Sequence, residues 1–317
     1  MRRFPGVVPL LCLAGAAAFS SRSLAAQPIL VGDELDYTVR RGDSIAGIGA
    51  RFAVGTETLA ARNGLSRTGR LVAGKQLHID NRHIVPKTLP DGILINVPQR
   101  LLFYFADGRL DSWYPVALGQ PGSWQTPTGS YRVLAKEKDP VWEVPSSIQQ
   151  EMRRNGEKVR TRVPPGSDNP LGRFRLRLSL ECCGIHGTNA PQSIYRFQTH
   201  GCIRLAPQDA VDLFSRVPVG VPVEIIYEPV LVYRDREGRT FVEVHPDIYR
   251  RADGNRETAM AIAESRGLRT ASEAAIWEEI LEAEEGIAIA VHLPLRTNVW
   301  REAAAIAEPE DPGTPSR

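Results

Sequence analysis

Between Ile185 and Leu205 the chain reads IHGTNAPQSIYRFQTHGCIRL, with His186 sixteen positions before Cys202 and His200 two before it. A thiol attacks as the thiolate, and a nearby imidazole is the usual means of producing one. An imidazole titrates near neutrality, so one ring can take the thiol proton and later return it to a leaving group. Gly201 removes a side chain beside the sulfur, which lets a substrate carbonyl and backbone N–H groups approach closely. Residue types and spacing point to one protein-thiol reaction that could use His186, His200 and Cys202 together.

A zinc site is the rival use of Cys182, Cys183, His186, His200 and Cys202. Adjacent cysteines splay to opposite faces of a strand, and no CxxC or HxxxH spacing is present. The reading therefore assigns no metal and no cofactor. A Cys182–Cys183 disulfide is strained between neighbours, and pairing of either with Cys202 would inactivate the site, so the cysteine pair raises the expectation of a redox switch.

The N-terminus bears on those thiols. Arg2 and Arg3 precede an apolar stretch from Val7 to Phe19, and SRSLAAQ follows. This is the pattern of a secretory signal over 1–26, cleaved after Ala25 or Ala26. At about thirteen residues the apolar stretch is short of the roughly 20 needed to span a bilayer, and no later segment is longer. The expected location is the periplasm, with a chain that does not span the membrane. Cys12 leaves with the signal, and the three remaining cysteines leave at least one thiol unpaired in an oxidising compartment. A net charge of +2 gives no case for a nucleic-acid partner.

The elements that must position the reactive residues are legible as pattern. Residues 37–80 read as β-α-α-β. Gly42-Asp43-Ser44 forms a turn and cap, and Ile45, Ile48 and Phe52 recur at helical spacing. Thr56 caps a second helix, Asn63-Gly64 stops it, and a strand closes the unit around Leu77 and Ile79. From Ile93 the pattern is strand-like, with Asp107-Gly108 as a hairpin turn. In FRLRLSL, Phe174, Leu176, Leu178 and Leu180 alternate with polar residues, which extends to place His186 on the apolar side unless 182–184 bulge. The 140–172 segment reads as a lid or substrate wall with a short helix around Ser147–Arg153. A C-terminal extension over 229–306 has helices near 255–267 and 272–284. The tail 307–317 reads as disordered.

Two resemblances organise these segments. The opening YTVRRGDS, the helix end ARNGL and the closing VAGKQLHI resemble a LysM module across 37–80, which implies binding to N-acetylglucosamine-containing glycan. His186-Gly187-Thr188 with Thr199-His200-Gly201-Cys202-Ile203-Arg204-Leu205, flanked by INVPQRLLFYF, QTPTG and VPVEIIY, resembles the signature of YkuD-type L,D-transpeptidases over 92–228. The implied fold class is a mainly β catalytic domain, a YkuD-like β-sandwich or barrel, with a small βααβ LysM domain and a helical C-terminal extension. Two departures stand out: Tyr195 where the family often has Gly, and Cys182-Cys183 where Gly and an aromatic are common.

The resemblance implies that Cys202 attacks a wall stem-peptide carbonyl to form a thioester, which an amine resolves. His186 is then the base and acid, oriented by the Gly187 carbonyl. His200 assists or holds the loop, the Gly201 and Cys202 N–H groups hold the oxyanion, and Arg204 and Thr199 face substrate. The implied partners are peptidoglycan stem peptides and glycan strands, with an outer-membrane lipoprotein lysine as a second possible acceptor. Resolution by water would make an L,D-carboxypeptidase or endopeptidase instead. A non-catalytic glycan-binding envelope protein is the remaining alternative, and the His186/Cys202 pair argues against it.

Overall fold

The computed structural model describes residues 28–251, 255–265 and 274–291. The expected signal segment 1–26 and the tail 307–317 lie outside the described residues. Strand β1 (Ile29–Val31) precedes the first unit, built from β2 (Glu34–Thr38), α1 (Ile45–Phe52), α2 (Thr56–Arg62) and β3 (Gln76–Asp80). Strands β2 and β3 pair antiparallel, Glu34 opposite Asp80 through Thr38 opposite Gln76. The helical period puts Ile45, Ile48 and Leu59 into one core with Leu77 and Ile79. Ser44 Oγ accepts the Gly47 N–H at 3.1 Å and caps α1. Thr56 is the first helical residue of α2 rather than its cap; Gly55 precedes it without a side-chain cap bond. Gly49 inside α1 has a packing reason that outweighs its poor helix propensity, because a Cβ there would stand 2.5 Å from the Val54 carbonyl oxygen. Asn63 stops α2 and ties it to β3 by accepting from His78 N and donating to the carbonyls of Leu59 and His78.

Strand β4 (His83–Val85) pairs with β1 and leads into the central unit. There follow β5 (Gly92–Asn96), β6 (Leu101–Ala106), β7 (Arg109–Gly119) and β8 (Gly129–Lys138). Next come β9 (Trp142–Glu143), α3 (Ser146–Arg154), β10 (Arg162–Val163), β11 (Phe174–Leu178) and β12 (Gly184–His186). The unit ends with β13 (Phe197–Thr199), β14 (Ile203–Leu205), α4 (Pro207–Arg216) and β15 (Pro222–Ile226). The main sheet runs β13-β7-β14-β12-β11-β8-β15-β5-β6, and β6 also pairs with β7, which closes it into a barrel. At the β6–β7 turn Asp107 and Gly108 both have positive φ, 53° and 72°. That geometry matches the twist of the flanking strands. Inward-facing Ile93, Leu102, Val116, Leu176, Ile185, Ile203 and Val223 fill the barrel, and burial of each such side chain contributes about 1.5–3 kcal/mol.

The sequence expectation for His186 needs correction. The strand containing Phe174, Leu176 and Leu178 ends at Leu178; the chain reverses through 179–183 and returns antiparallel as β12. His186 therefore pairs with Arg175, and Ile185 with Leu176. Cross-strand partners share a face, so His186 stands on the arginine side and not on the apolar side.

The C-terminal segment begins with β16 (Val230–Arg234) and β17 (Thr240–Val244). It continues through α5 (Asn255–Ser265) and α6 (Ala274–Ala283) to β18 (Ile289–Ala290), and β17 lies between β16 and β18. Ala259, Ala263, Trp277 and Ile280 of the helices pack on Val230, Val232, Val242 and Val244. Among the described residues no helix is long and apolar enough to cross a membrane.

This segment joins the other two units. Ile287 enters the core of the N-terminal unit, and Arg62 Nε donates to Glu285 at 2.7 Å. The deepest link is Glu243, which is fully buried. Its Oε1 lies 2.8 Å from His83 Nδ1 and 2.7 Å from His245 Nε2, and it accepts from Gln99 Nε2 at 2.9 Å. Its Oε2 accepts the Ile84 N–H at 2.5 Å. Burial pushes the carboxyl up, but the field of His83 and hydrogen bonds from His245 and His83 hold it down at about 2. A carboxyl with a depressed native pKa contributes stability above its unfolded value and loses it as pH falls toward the native one. Chemical denaturation of wild type should therefore show stability falling from about pH 4.5 toward pH 2. Glu243→Ala should lose about 3–5 kcal/mol at neutral pH and flatten part of that slope, because a buried charged network is left without its acceptor.

Candidate active site

Strands β12 and β14 are parallel neighbours, with Ile185 opposite Ile203 and His186 opposite Arg204. One step back in that register sets Cys202 beside Gly184, whose backbone N–H donates to the sulfur. Arg175, His186 and Arg204 thus form a row across β11, β12 and β14, and Cys202 stands two residues from Arg204 on the same face. Gly184 has no side chain to cover the sulfur. A Cβ at that position would stand 3.5 Å from Arg175 Nε, which places this guanidinium arm over the residue that feeds the thiol its hydrogen bond.

His186 is buried, and its Nδ1 lies 2.6 Å from the Gly187 carbonyl oxygen. A carbonyl only accepts, so Nδ1 carries the proton and Nε2 is the basic nitrogen of the neutral ring. Burial and the fields of Arg204 and Arg175 push the imidazole down to about 3, against the carbonyls of Gly187 and Leu171. Burial pushes the Cys202 thiol up, against the Gly184 N–H and the fields of Arg175 and Arg204. At neutral pH the resting pair is a thiol and a neutral imidazole rather than a preformed ion pair.

The loop that carries Cys202 is held from below. Thr199 is buried; its Oγ1 donates to the Cys202 carbonyl at 2.6 Å and accepts the Gly201 N–H at 3.2 Å. That second bond corrects the expectation for Gly201, because its amide is engaged by Thr199 and does not point into the site as an oxyanion donor. Gly201 is required for its backbone instead, since its φ is +100°. Thr126 Oγ1 donates to the Gly201 carbonyl at 3.0 Å and accepts the Gly119 N–H at 2.9 Å. Tyr249 accepts the Thr126 N–H at 3.1 Å and donates to the Gly119 carbonyl at 2.5 Å. Thr126 lies in the QTPTG stretch noted in the sequence. Tyr249 carried no sequence signal, because it comes from the C-terminal segment and reaches the loop only through the fold.

His200 Nε2 lies 2.7 Å from Glu151 Oε2, and its ring packs edge-on against Trp124 with centroids 4.6 Å apart. Glu151 belongs to α3, so His200 is the point where the 140–172 segment docks on the Cys202 loop. That segment is ordered by the β9–β10 pairing and by Asn169, which donates to the Pro140 carbonyl and accepts the Leu171 N–H. A groove of about 610 Å³ runs between Asn169, Arg173, Thr188, Asn189 and Gln208, beside the Gly187 carbonyl. Arg204 is partly exposed, and its buried Nε has no hydrogen-bond partner among the described residues. Among the same residues no cluster of three or more His, Cys, Asp or Glu is placed to hold a metal ion.

Both family departures have local explanations. Tyr195 has φ 60°, the left-handed conformation that favours glycine. Its buried ring takes the Arg100 guanidinium 4.2 Å from its centroid, a contact that offsets backbone strain of about 1–2 kcal/mol. Cys182 and Cys183 form a disulfide with each other, and Cys202 is free. Paired with each other, neither sulfur is left to pair with Cys202.

Residues 90–225 match the YkuD L,D-transpeptidase catalytic domain, and residues 37–80 match the LysM domain. The chain is 32% identical over 219 residues to the probable L,D-transpeptidase YbiS of Escherichia coli, across 68% of this chain and 71% of that protein. It is 30% identical over 191 residues to the putative L,D-transpeptidase YkuD of Bacillus subtilis, across 60% of this chain and 98% of that protein. A solved L,D-transpeptidase of Enterococcus faecium is 20% identical over 43% of this chain and 49% of that chain, with a TM-score of 0.34. With a LysM domain ahead of its catalytic domain, this chain belongs to the YkuD family of L,D-transpeptidases.

Proposed function

We propose that the protein is an exported, periplasmic peptidoglycan L,D-transpeptidase that works through a Cys202 thioester. The observation that carries this reading is the β12–β14 register, which sets Cys202 and His186 on one face with His186 Nδ1 already engaged. Because the thiol rests protonated, attack is coupled to proton transfer: Nε2 of His186 takes the thiol proton as sulfur bonds to the stem-peptide carbonyl carbon. The Cys202 N–H receives the oxyanion, and a donor of this kind is worth about 2.7–4 kcal/mol in a well-studied protease. Collapse breaks the C–N bond, and the imidazolium returns its proton to the departing amine. An incoming amine then displaces the sulfur, giving a cross-link to a second stem or attachment of a lipoprotein lysine.

The remaining residues position or recognise. Arg204, with its unpartnered Nε, faces a stem carboxylate in this reading. Arg175 is a second guanidinium that sequence reasoning did not single out, and together with Arg204 it favours the thiolate as it forms. Thr199 fixes the backbone of the loop. His200 serves as the docking point for α3 rather than as a proton carrier. The LysM domain holds the enzyme on the glycan while the groove beside Gly187 accepts the stem.

Incubation with a purified tetrapeptide-bearing muropeptide, read by mass spectrometry, tests the reading. A cross-linked dimer is expected from wild type and none from Cys202→Ala, whose turnover should fall at least about 10³-fold. Loss of D-Ala alone would mean that water resolves the thioester, and no product from wild type would leave a glycan-binding protein.

A second measurement addresses the electrostatics. Arg175 and Arg204 lower the thiol pKa, so removing either charge raises it. The pH midpoint for iodoacetamide alkylation of Cys202 should move to higher pH in Arg175→Gln, with alkylation at pH 7 slowed by up to about tenfold. An unchanged profile would remove Arg175 from the site.

A further inference from the structure

The disulfide between Cys182 and Cys183 lies against the nucleophile loop. Cys183 is 3% exposed, whereas Cys182 is open to solvent. A Cβ placed on Gly201 would stand 3.0 Å from Cys183 Sγ, so this sulfur occupies the space beside the residue that immediately precedes Cys202. On the same side the Gln125 and Trp124 carbonyl oxygens lie 3.5 and 3.8 Å from that point. Gly201 is thus enclosed by the Trp124 and Gln125 carbonyls and by one sulfur of the disulfide.

A disulfide between sequence neighbours closes a ring through their own peptide bond and removes the rotamer freedom of both side chains. Here that ring forms the end of the 179–183 reversal, immediately before Gly184, the donor to the Cys202 sulfur. Reduction would replace one covalent contact by two thiols that must separate to van der Waals distance. One of them is buried against Gly201, so the added volume falls on the loop.

We propose that the Cys182–Cys183 disulfide is a positioning element of the active site. It holds Cys183 Sγ as a wall behind Gly201, and thereby fixes the Cys202 amide and thiol relative to His186. The proposal rests on Cys202 being the nucleophile. Cys182, as the exposed sulfur, is where a reductant enters. A phosphine attacks it, two electrons pass to the disulfide, water supplies the two protons and the oxygen of the phosphine oxide, and two thiols result.

The test compares oxidised wild type, phosphine-reduced wild type freed of reductant, and Cys182→Ser/Cys183→Ser. Peptide mapping after alkylation should show Cys202 alone modified in the oxidised form and Cys182, Cys183 and Cys202 modified after reduction. With the muropeptide donor, kcat should fall about tenfold or more on reduction with KM little changed, the mark of lost positioning rather than lost binding. The double variant should match the reduced enzyme and ignore reductant, and reoxidation should restore wild type. A kcat within about twofold of the oxidised enzyme, or a rise on reduction, would overturn the proposal. If the double variant fails to fold, the wild-type comparison decides alone. If oxidised wild type makes no product, the transpeptidase reading fails separately. The rate of Cys202 alkylation at fixed pH then decides, since an equal rate in both forms would overturn a positioning role.

Discussion

The parallel pairing of β12 with β14 is the constraint on which the site depends. His186 and Cys202 are separated by a loop that contains Tyr195 and β13, yet the register His186 opposite Arg204 returns the cysteine to the histidine's face. A slip of one residue would turn either side chain into the barrel, where Ile185 and Ile203 now sit. Those two isoleucines resist the slip, since it would expose them and bury an arginine. The same hydrophobic alternation that closes the barrel therefore aligns His186 with Cys202.

That alignment has an electrostatic consequence. Burial keeps the His186 ring neutral far below its ordinary range, and the two guanidiniums that flank it in the row across β11, β12 and β14 add to that effect. A neutral imidazole is a competent base, whereas an imidazolium is not. The cost falls on the thiol, which burial holds protonated despite both arginines. The site thus stores no charge separation at rest, and in the proposed reaction the proton moves as sulfur attacks the carbonyl.

The sequence made the catalytic motif and the first unit legible because both are local. Ser44, Ile45, Ile48 and Leu59 are read within a few residues of one another, and the cap and core they imply are the ones present. The errors came where a local pattern was extended through a turn. FRLRLSL alternates correctly, but the chain reverses after Leu178, and parity counted through the reversal assigned His186 to the wrong face. The oxyanion role of Gly201 comes from the family resemblance, which carries no hydrogen-bond geometry, while its N–H is claimed by Thr199. Tyr249 and Glu243 were invisible for a different reason. Their partners lie more than a hundred residues away, at Gly119, Thr126, His83 and Gln99, and no spacing rule reaches that far.

The buried junction around Glu243 and the Tyr249 contact alter how the C-terminal segment is understood. A segment packed only on its own core would leave the catalytic unit indifferent to it. Here one side chain of the segment accepts from Gln99 and His83 while another closes the hydrogen bonds under the nucleophile loop. Leaving Gly119 O and Thr126 N buried without Tyr249 would cost about 1–3 kcal/mol for each, enough to loosen a loop whose carbonyl at Gly201 hangs from Thr126. The segment is therefore structural support for the candidate site, and the LysM unit is joined to that site through it.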